Sequence, residues 1–311
     1  MRTALVYSES QLGFDPAVQE FLEALFSNYH FKSVSEVIKA DDGKGIIEAC
    51  DVIILIDSLE WYLANKLKIK GRPWVCMLSF CFEPNITLMT NPINETGIAV
   101  VISSCAHFVN QVSHVLPAMF AWRPVPSNAS PSKFEPEIIG CVLPNTFDRD
   151  FCLLDMAAKI KDSLCSETKF EIFAREDDKY KLPASLEIYR HTYPPGEEAK
   201  AYQSIKFYIP APRITDYRVG IVPPEIIRAC TYGCQPLLIY HPALAPLQAC
   251  VNPMFTSIKD YKARLNEVFT WKPGEKLNIV STSIPKEMKP TAESLVNTVA
   301  LAHQRWKANA S

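Results

Sequence analysis

An α/β chain built from two doubly wound parallel sheets is what this sequence predicts, and three observations carry that reading. Short runs recur that are apolar at every position, such as Val52-Ile-Ile-Leu-Ile56, as expected for strands covered on both faces. Between them lie stretches with apolar residues at i, i+3 and i+4, the signature of amphipathic helices. The alternation is interrupted once, over residues 122–136, by a segment holding Pro124, Pro126, Pro131 and Pro136 among small polar residues, and then restarts. Strand–helix alternation of this kind argues for parallel sheets with helices on both faces.

In chain order, residues 3–7 (TALVY) predict the first strand, and the loop over 8–14 holds Gly13. Asp15-Pro16 caps and starts a helix running to about residue 28, with Val18, Phe21, Leu22, Leu25 and Phe26 in helical period. Residues 31–39 fit a strand or a short helix. The run 52–56 is the clearest strand of this half, followed at once by Asp57-Ser58. A helix over 60–68, strands over 73–78 and 97–103, and a helix over 107–116 complete it.

After the Pro-rich segment, residues 137–143 (EIIGCVL) predict a strand and 148–164 a helix with Leu153, Met156, Ala157 and Ile160 on one face. Strands follow at 169–174, 185–189 and 205–209, with a short helix over 196–202. Within 220–247, Pro223 and Pro224 suit the first positions of a helix, where a missing amide hydrogen costs nothing. Ile226, Ala229 and Cys230 form its apolar face, Gly233 stands where a left-handed stop is wanted, and 236–240 reads as a buried strand. Helices over 242–250, 257–269 and 290–307 end the chain, with a small strand at Phe255. The expected organisation is a first domain over 1–125, a second over 137–285, and a terminal helix over 286–311 packing back on the first.

The chain has 311 residues, 48% hydrophobic and 21% charged, and a net charge of −2. That balance suits a globular protein and lacks the basic surplus that holds a nucleic-acid backbone by bulk electrostatics. The ten cysteines show neither C-x-x-C nor zinc spacing and several sit in apolar runs, which predicts reduced, buried thiols and a cytoplasm-like compartment. The N-terminus lacks the pattern of a signal peptide, and no run reaches the length of a membrane span. The N-x-S/T triplets at Asn85, Asn94 and Asn128 are then chance matches. The chain contains no G-x-S-x-G, G-x-G-x-x-G or G-x-x-x-x-G-K-S/T.

Ligands of open parallel sheets bind beyond the carboxyl ends of the strands, so polar residues there are the candidates. Arg149, with the amides over 145–149, reads either as a phosphate receptor at a helix start or as a solvated arginine beside an Asp148 cap. Asp148-Arg149-Asp150 fits D-x-D, but helix capping is the better account, and no metal site is expected. The loop over 210–220 leads into the helix bearing Glu225, and its Arg213 and Arg218 are within reach of anionic groups or solvated. Asp57 and Glu83 each follow a predicted strand and suit a base taking a proton from a hydroxyl, or a cap. His107 and His114, seven residues apart, are expected on one helical face, by default as surface or packed histidines.

Pro224-Glu225-Ile226-Ile227-Arg228-Ala229 followed by Gly233-Cys234-Gln235-Pro236-Leu237 resembles the nucleotide-binding half of glycosyltransferases with two Rossmann-like domains, the GT-B fold. In order of elements the chain is similar to CgeB-like glycosyltransferases and to phage DNA β-glucosyltransferase. The resemblance implies two Rossmann-like doubly wound domains with a cleft between them, and a terminal helix crossing back to the first. It implies a soluble glycosyltransferase that uses a nucleotide sugar as donor substrate, a hydroxyl acceptor such as a glycan, and no further cofactor. It implies Glu225 on the ribose hydroxyls, Arg149 on the diphosphate, amides of Gly220 and Ile221 beside it, and Arg175 with Tyr189 to His191 near the base. Glu83 would be the acceptor's base in an inverting enzyme. The first domain's glycine-rich loop is reduced to Gly13, and Tyr217 stands where retaining members often carry a second glutamate.

Overall fold

The structure, a computed structural model, describes residues 2–7, 20–21, 23–25, 34–40, 50–69, 72–80, 97–125, 137–143, 149–178, 181–213, 217, 220, 222–248, 251, 254–272 and 291–310. It divides into two compact units. The first comprises Met1–Ser127, Val219–Ile221 and Pro290–Ser311, and the second Asn128–Arg218 and Val222–Lys289.

The first unit holds β1 (Thr3–Tyr7), β2 (Val34–Lys39), β3 (Val52–Ile56), β4 (Trp74–Ser79), β5 (Val100–Ser103) and β6 (Ala118–Phe120). They form one sheet in the order β2-β1-β3-β4-β5-β6, and every pairing is parallel. Side chains of a strand alternate between faces, so each apolar run feeds two cores. Leu5, Ile54, Cys76 and Ile102 belong to one, Val6, Ile53, Val75 and Val101 to the other. Helices α1 (Leu59–Asn65) and α2 (Ala106–Val112) cover the second face through Leu59, Tyr62, Phe108 and Val112.

Phe21, Leu25 and the terminal helix cover the opposite face. That helix, whose range follows below, contributes Leu295, Val296 and Val299, and its His303 stacks on Trp74 with ring centroids 4.6 Å apart. The terminal helix therefore belongs to the first unit's core, although the whole second unit separates them in sequence.

The second unit runs β7 (Ile138–Val142), α3 (Cys152–Leu164), β8 (Lys169–Arg175), α4 (Ala184–Glu187), β9 (Arg190–Tyr193), α5 (Glu198–Ser204), β10 (Ile205–Tyr208), α6 (Pro224–Thr231), β11 (Gln235–Pro236) and α7 (Ile258–Thr270); the terminal helix of the first unit is α8 (Ala292–Ala310). Its sheet is again all parallel, in the order β11-β10-β7-β8-β9. Winding starts at β7, proceeds outward through β8 and β9, then returns to the other side of β7 at β10. The winding thus reverses between β7 and β10, and the loops leaving these two strands face the crevice where such sheets take ligands.

Helix α6 stops as its sequence predicts. Gly233 adopts φ 86°, the Cys234 amide donates to the Ala229 carbonyl at 2.9 Å, and the Gly233 amide to the Cys230 carbonyl at 3.1 Å. These are the paired bonds of a glycine-terminated helix.

Several elements depart from expectation. Residues 185–189 are not a strand. Pro183 precedes a single helical turn, its carbonyl accepting from the Leu186 and Glu187 amides, and the strand begins at Arg190. The S-L-E-I-Y alternation imitates a strand, yet Leu186 is buried and Ile188 is 76% exposed, as a short turn on the surface allows. Helix α3 starts at Cys152 rather than 148, because the Asp150 carboxylate accepts from the Cys152 amide at 2.9 Å and turns the chain there. The expected strand over 236–240 pairs with β10 only at Gln235–Pro236. The chain then veers to Phe255, where the Tyr240 amide donates to the Phe255 carbonyl at 2.7 Å. Helix α2 ends at Val112, so His107 and His114 do not share it. The expected helix over 60–68 tightens into a 3₁₀ turn at Lys66–Lys68, the 242–250 helix is a 3₁₀ segment at Pro242–Leu247, and the edge strand β6, only three residues long and directly after Pro117, was not expected. Among the described residues no helix is long and apolar enough to cross a membrane, and the described cysteines form no disulfide.

Candidate functional site

The candidate site lies at the carboxyl edge of the second sheet, and Arg149 is its hub. The arginine follows β7 and forms an antiparallel bridge with Arg213, which follows β10; the Asp150 amide donates to the Pro212 carbonyl at 2.9 Å. Its guanidinium is fully buried and lies 3.6 Å from the Asp178 carboxylate, on the loop after β8. Arg190, which opens β9, donates to the Asp178 carbonyl at 3.1 Å. The exits of β7 and β10 are thus joined backbone to backbone, and the Arg149 side chain links them to the loop after β8. A buried cation of this kind is stable only when paired and enclosed by polar groups.

Glu225 sits in the first turn of α6, half-buried, where a helix dipole favours negative charge. Both Arg149 and Glu225 act electrostatically on Cys141, one residue from the end of β7. Burial pushes the Cys141 thiol up to about 12, Arg149 pulls it down and Glu225 raises it. Two charges expected from separate stretches of sequence therefore converge on the strand end beside the reversal.

Arg175 closes β8 and makes a two-pronged ion pair with Asp177, whose longer bond is 2.8 Å; that pairing raises the guanidinium's pKa. Its register partner on β9 is Tyr193. Burial raises the Tyr193 hydroxyl and Glu198 adds to this, while Arg228 and Arg175 oppose it. Tyr193 is the residue that sequence reasoning missed. The signal was present: Pro194-Pro195-Gly196 stops a strand directly after it.

The strand shift moves Tyr189 to the opposite end of the sheet. Its ring packs edge-on against Phe170, at the start of β8, and its hydroxyl bonds Asp162 at the end of α3; burial pushes that hydroxyl up to about 12. His191 lies in mid-strand, exposed, 3.8 Å from Glu171. Neither reaches the edge that Arg149 and Glu225 share. Tyr217 stacks on His241 with centroids 4.8 Å apart.

In the first unit, Asp57 ends β3 with φ 45°, a conformation unusual outside glycine. It is 1% exposed, its amide donates to the Leu78 carbonyl at 3.0 Å, and its carboxylate accepts from the Phe80 amide at 2.9 Å. The side chain thus ties the exits of β3 and β4 together. Asp57→Ala is expected to cost about 2 kcal/mol, from a buried amide left without its acceptor and an alanine held at positive φ. Asp57→Asn, which keeps an acceptor oxygen, should retain most of the stability; equal denaturant midpoints for Asp57→Ala and wild type would contradict the tie.

Gly220, grouped with the first unit, has φ 78°, and a Cβ there would lie 2.9 Å from the Cβ of His107. Only glycine fits such a backbone at such proximity. Gly13, Glu83, Arg218 and Ile221 lie outside the described residues.

No protein-family model matches the chain, and no curated protein does. Solved structures do. TarM matches with a TM-score of 0.50 at 11% identity, over 81% of this chain and 54% of TarM. An α-glucosyltransferase in complex with UDP-glucose and DNA containing an abasic site matches with a TM-score of 0.51 at 10% identity, over 87% of this chain and 90% of that one. The fold is that of the GT-B glycosyltransferases. The chain spans about half the length of TarM, and at these identities the likeness is one of fold. In a GT-B fold, the edge built around Arg149 and Glu225 belongs to the second of two wound units, the one in which winding begins anew at β7.

Proposed function

We propose that the protein moves a sugar from a nucleotide diphosphate sugar to a hydroxyl acceptor. The observation that carries this reading is the convergence of Arg149 and Glu225 where the second sheet's winding reverses. A carboxylate in the first turn of α6 suits paired ribose hydroxyls, which donate to it. The leaving diphosphate develops negative charge as the glycosidic bond breaks, and a fixed cation with nearby amides stabilises that charge. In this reading Arg149 supplies the cation, so the step needs no metal. UDP is the first nucleotide to test, since UDP or UDP-glucose is present in solved complexes of this fold. Of the two candidate bases, Glu83 is favoured, because Asp57 is buried and occupied by a backbone amide.

Calorimetry with UDP, GDP, ADP and dTDP tests the reading, followed by assay of sugar-nucleotide turnover. One nucleotide should bind, and Glu225→Ala should weaken it about 10- to 100-fold, the loss of hydrogen bonds to a charged acceptor. Failure of all four to bind the wild-type chain would overturn the proposal.

A second reading is a binding protein of the same fold without turnover. The burial of the Arg149 guanidinium against Asp178, together with Tyr217 in place of a second glutamate, favours it. Nucleotide binding without transfer or hydrolysis would select this reading.

A further inference from the structure

Helix α6 carries a second charge on the Glu225 face. Arg228 stands three residues on, one turn away, so the two side chains are neighbours on the helix surface. The pair also has the favourable order, acid toward the N-terminus and base toward the C-terminus. At this spacing the Arg228 guanidinium is within reach of the Glu225 carboxylate that the nucleotide needs.

The structure directs Arg228 elsewhere. Its guanidinium Nη1 donates to both carboxylate oxygens of Glu198, at 3.0 and 3.3 Å, and both side chains are largely enclosed, at 12% and 24% exposure. Glu198 lies in the first turn of α5, a helix that also contacts the turn ending α6. Tyr202 of α5 stacks on Tyr232 at 5.3 Å, and the Cys234 thiol donates to the Tyr202 carbonyl at 3.1 Å. Glu198 also acts on Arg175 and Tyr193 at the ends of β8 and β9, and Glu198, Arg228 and Glu225 all act on the Tyr202 hydroxyl.

We propose that Glu198 is a positioning residue that holds Arg228 away from Glu225 and so keeps the Glu225 carboxylate open to the ribose hydroxyls of a nucleotide. This rests on the nucleotide-binding reading above. Glu198 touches no ligand in this account; it competes with Glu225 for one guanidinium.

The test is rescue. In calorimetry with whichever of the four nucleotides the wild-type chain binds, Glu198→Gln should weaken binding about five- to tenfold, because Arg228 then pairs with Glu225. Arg228→Gln alone should change affinity less than threefold. The double variant Glu198→Gln/Arg228→Gln should recover to within threefold of wild type, since no guanidinium remains to block the carboxylate. A merely structural pair gives the opposite pattern, with the double variant as weak as Glu198→Gln. Wild-type affinity in Glu198→Gln, or no recovery in the double variant, overturns the inference while leaving nucleotide binding intact; absence of any binding by the wild-type chain overturns the underlying reading instead. Should Glu198→Gln not fold, Glu198→Ala, which also removes the carboxylate, takes its place under the same criteria.

Discussion

Replacing Gly140 by alanine is expected to unfold the second unit while the first stays folded. Gly140 lies in β7, paired in register with Glu171 of β8. A Cβ on it would sit 1.8 Å from the Glu171 carbonyl oxygen and 2.9 Å from its carbonyl carbon. The obstacle is backbone in the centre of a sheet, so no side chain can move aside. The Gly140 carbonyl also accepts from the Ile209 amide at 2.8 Å, so shifting β7 away from β8 disturbs β10 as well. The cost should exceed about 3 kcal/mol, beyond ordinary overpacking of a core, because the strand ladder itself must open. Amide hydrogen exchange reads the outcome. Protection should be lost across β7, β8 and β10 and kept across β3, β4 and β5. Protection of β7 and β8 at wild-type level would show that the close approach is absent.

The second large effect is expected at Arg149. Arg149→Ala removes the cation from a buried pair and leaves the Asp178 carboxylate in the interior without it. Breaking such a pair costs about 3–5 kcal/mol. The loop after β8 loses its tie to the exit of β7, so under the proposed transferase reading sugar-nucleotide turnover should vanish together with stability. The two losses can be separated. Arg149→Met/Asp178→Leu replaces the pair by apolar side chains of similar size, which is often neutral or stabilising. The double variant should regain the wild-type denaturant midpoint and still fail to turn over a sugar nucleotide. Turnover by a stable double variant would remove Arg149 from the chemistry and leave it as a purely structural hub.

Much of the wound architecture was legible from local chemistry. The run Val52 to Ile56 is apolar at every position because each side chain enters one of two cores, and only a strand covered on both faces needs that. The start and stop of α6 were equally readable, since Pro224 and Gly233 are each dictated by the backbone of a single residue. From those two points follows the place of Glu225 in the first turn. Residues 185–189 show the limit of such reading. Their alternation fits a strand, but one helical turn with a buried Leu186 satisfies it too, and the error placed Tyr189 where Tyr193 stands. Over so short a segment, period two and period 3.6 are not distinguishable.

What the amino-acid order alone determined about this protein is most of its strands and helices and the positions of charged residues at their ends, because periodicity and turn chemistry act within a few residues. The order β11-β10-β7-β8-β9 was decided only in three dimensions. Pairing β7 with both β8 and β10 joins residues tens of positions apart, and its energy is shared among many contacts that leave no local mark. That order brings Asp178 and Arg213 to Arg149 and Glu198 to Arg228, and so turns scattered charges into a site.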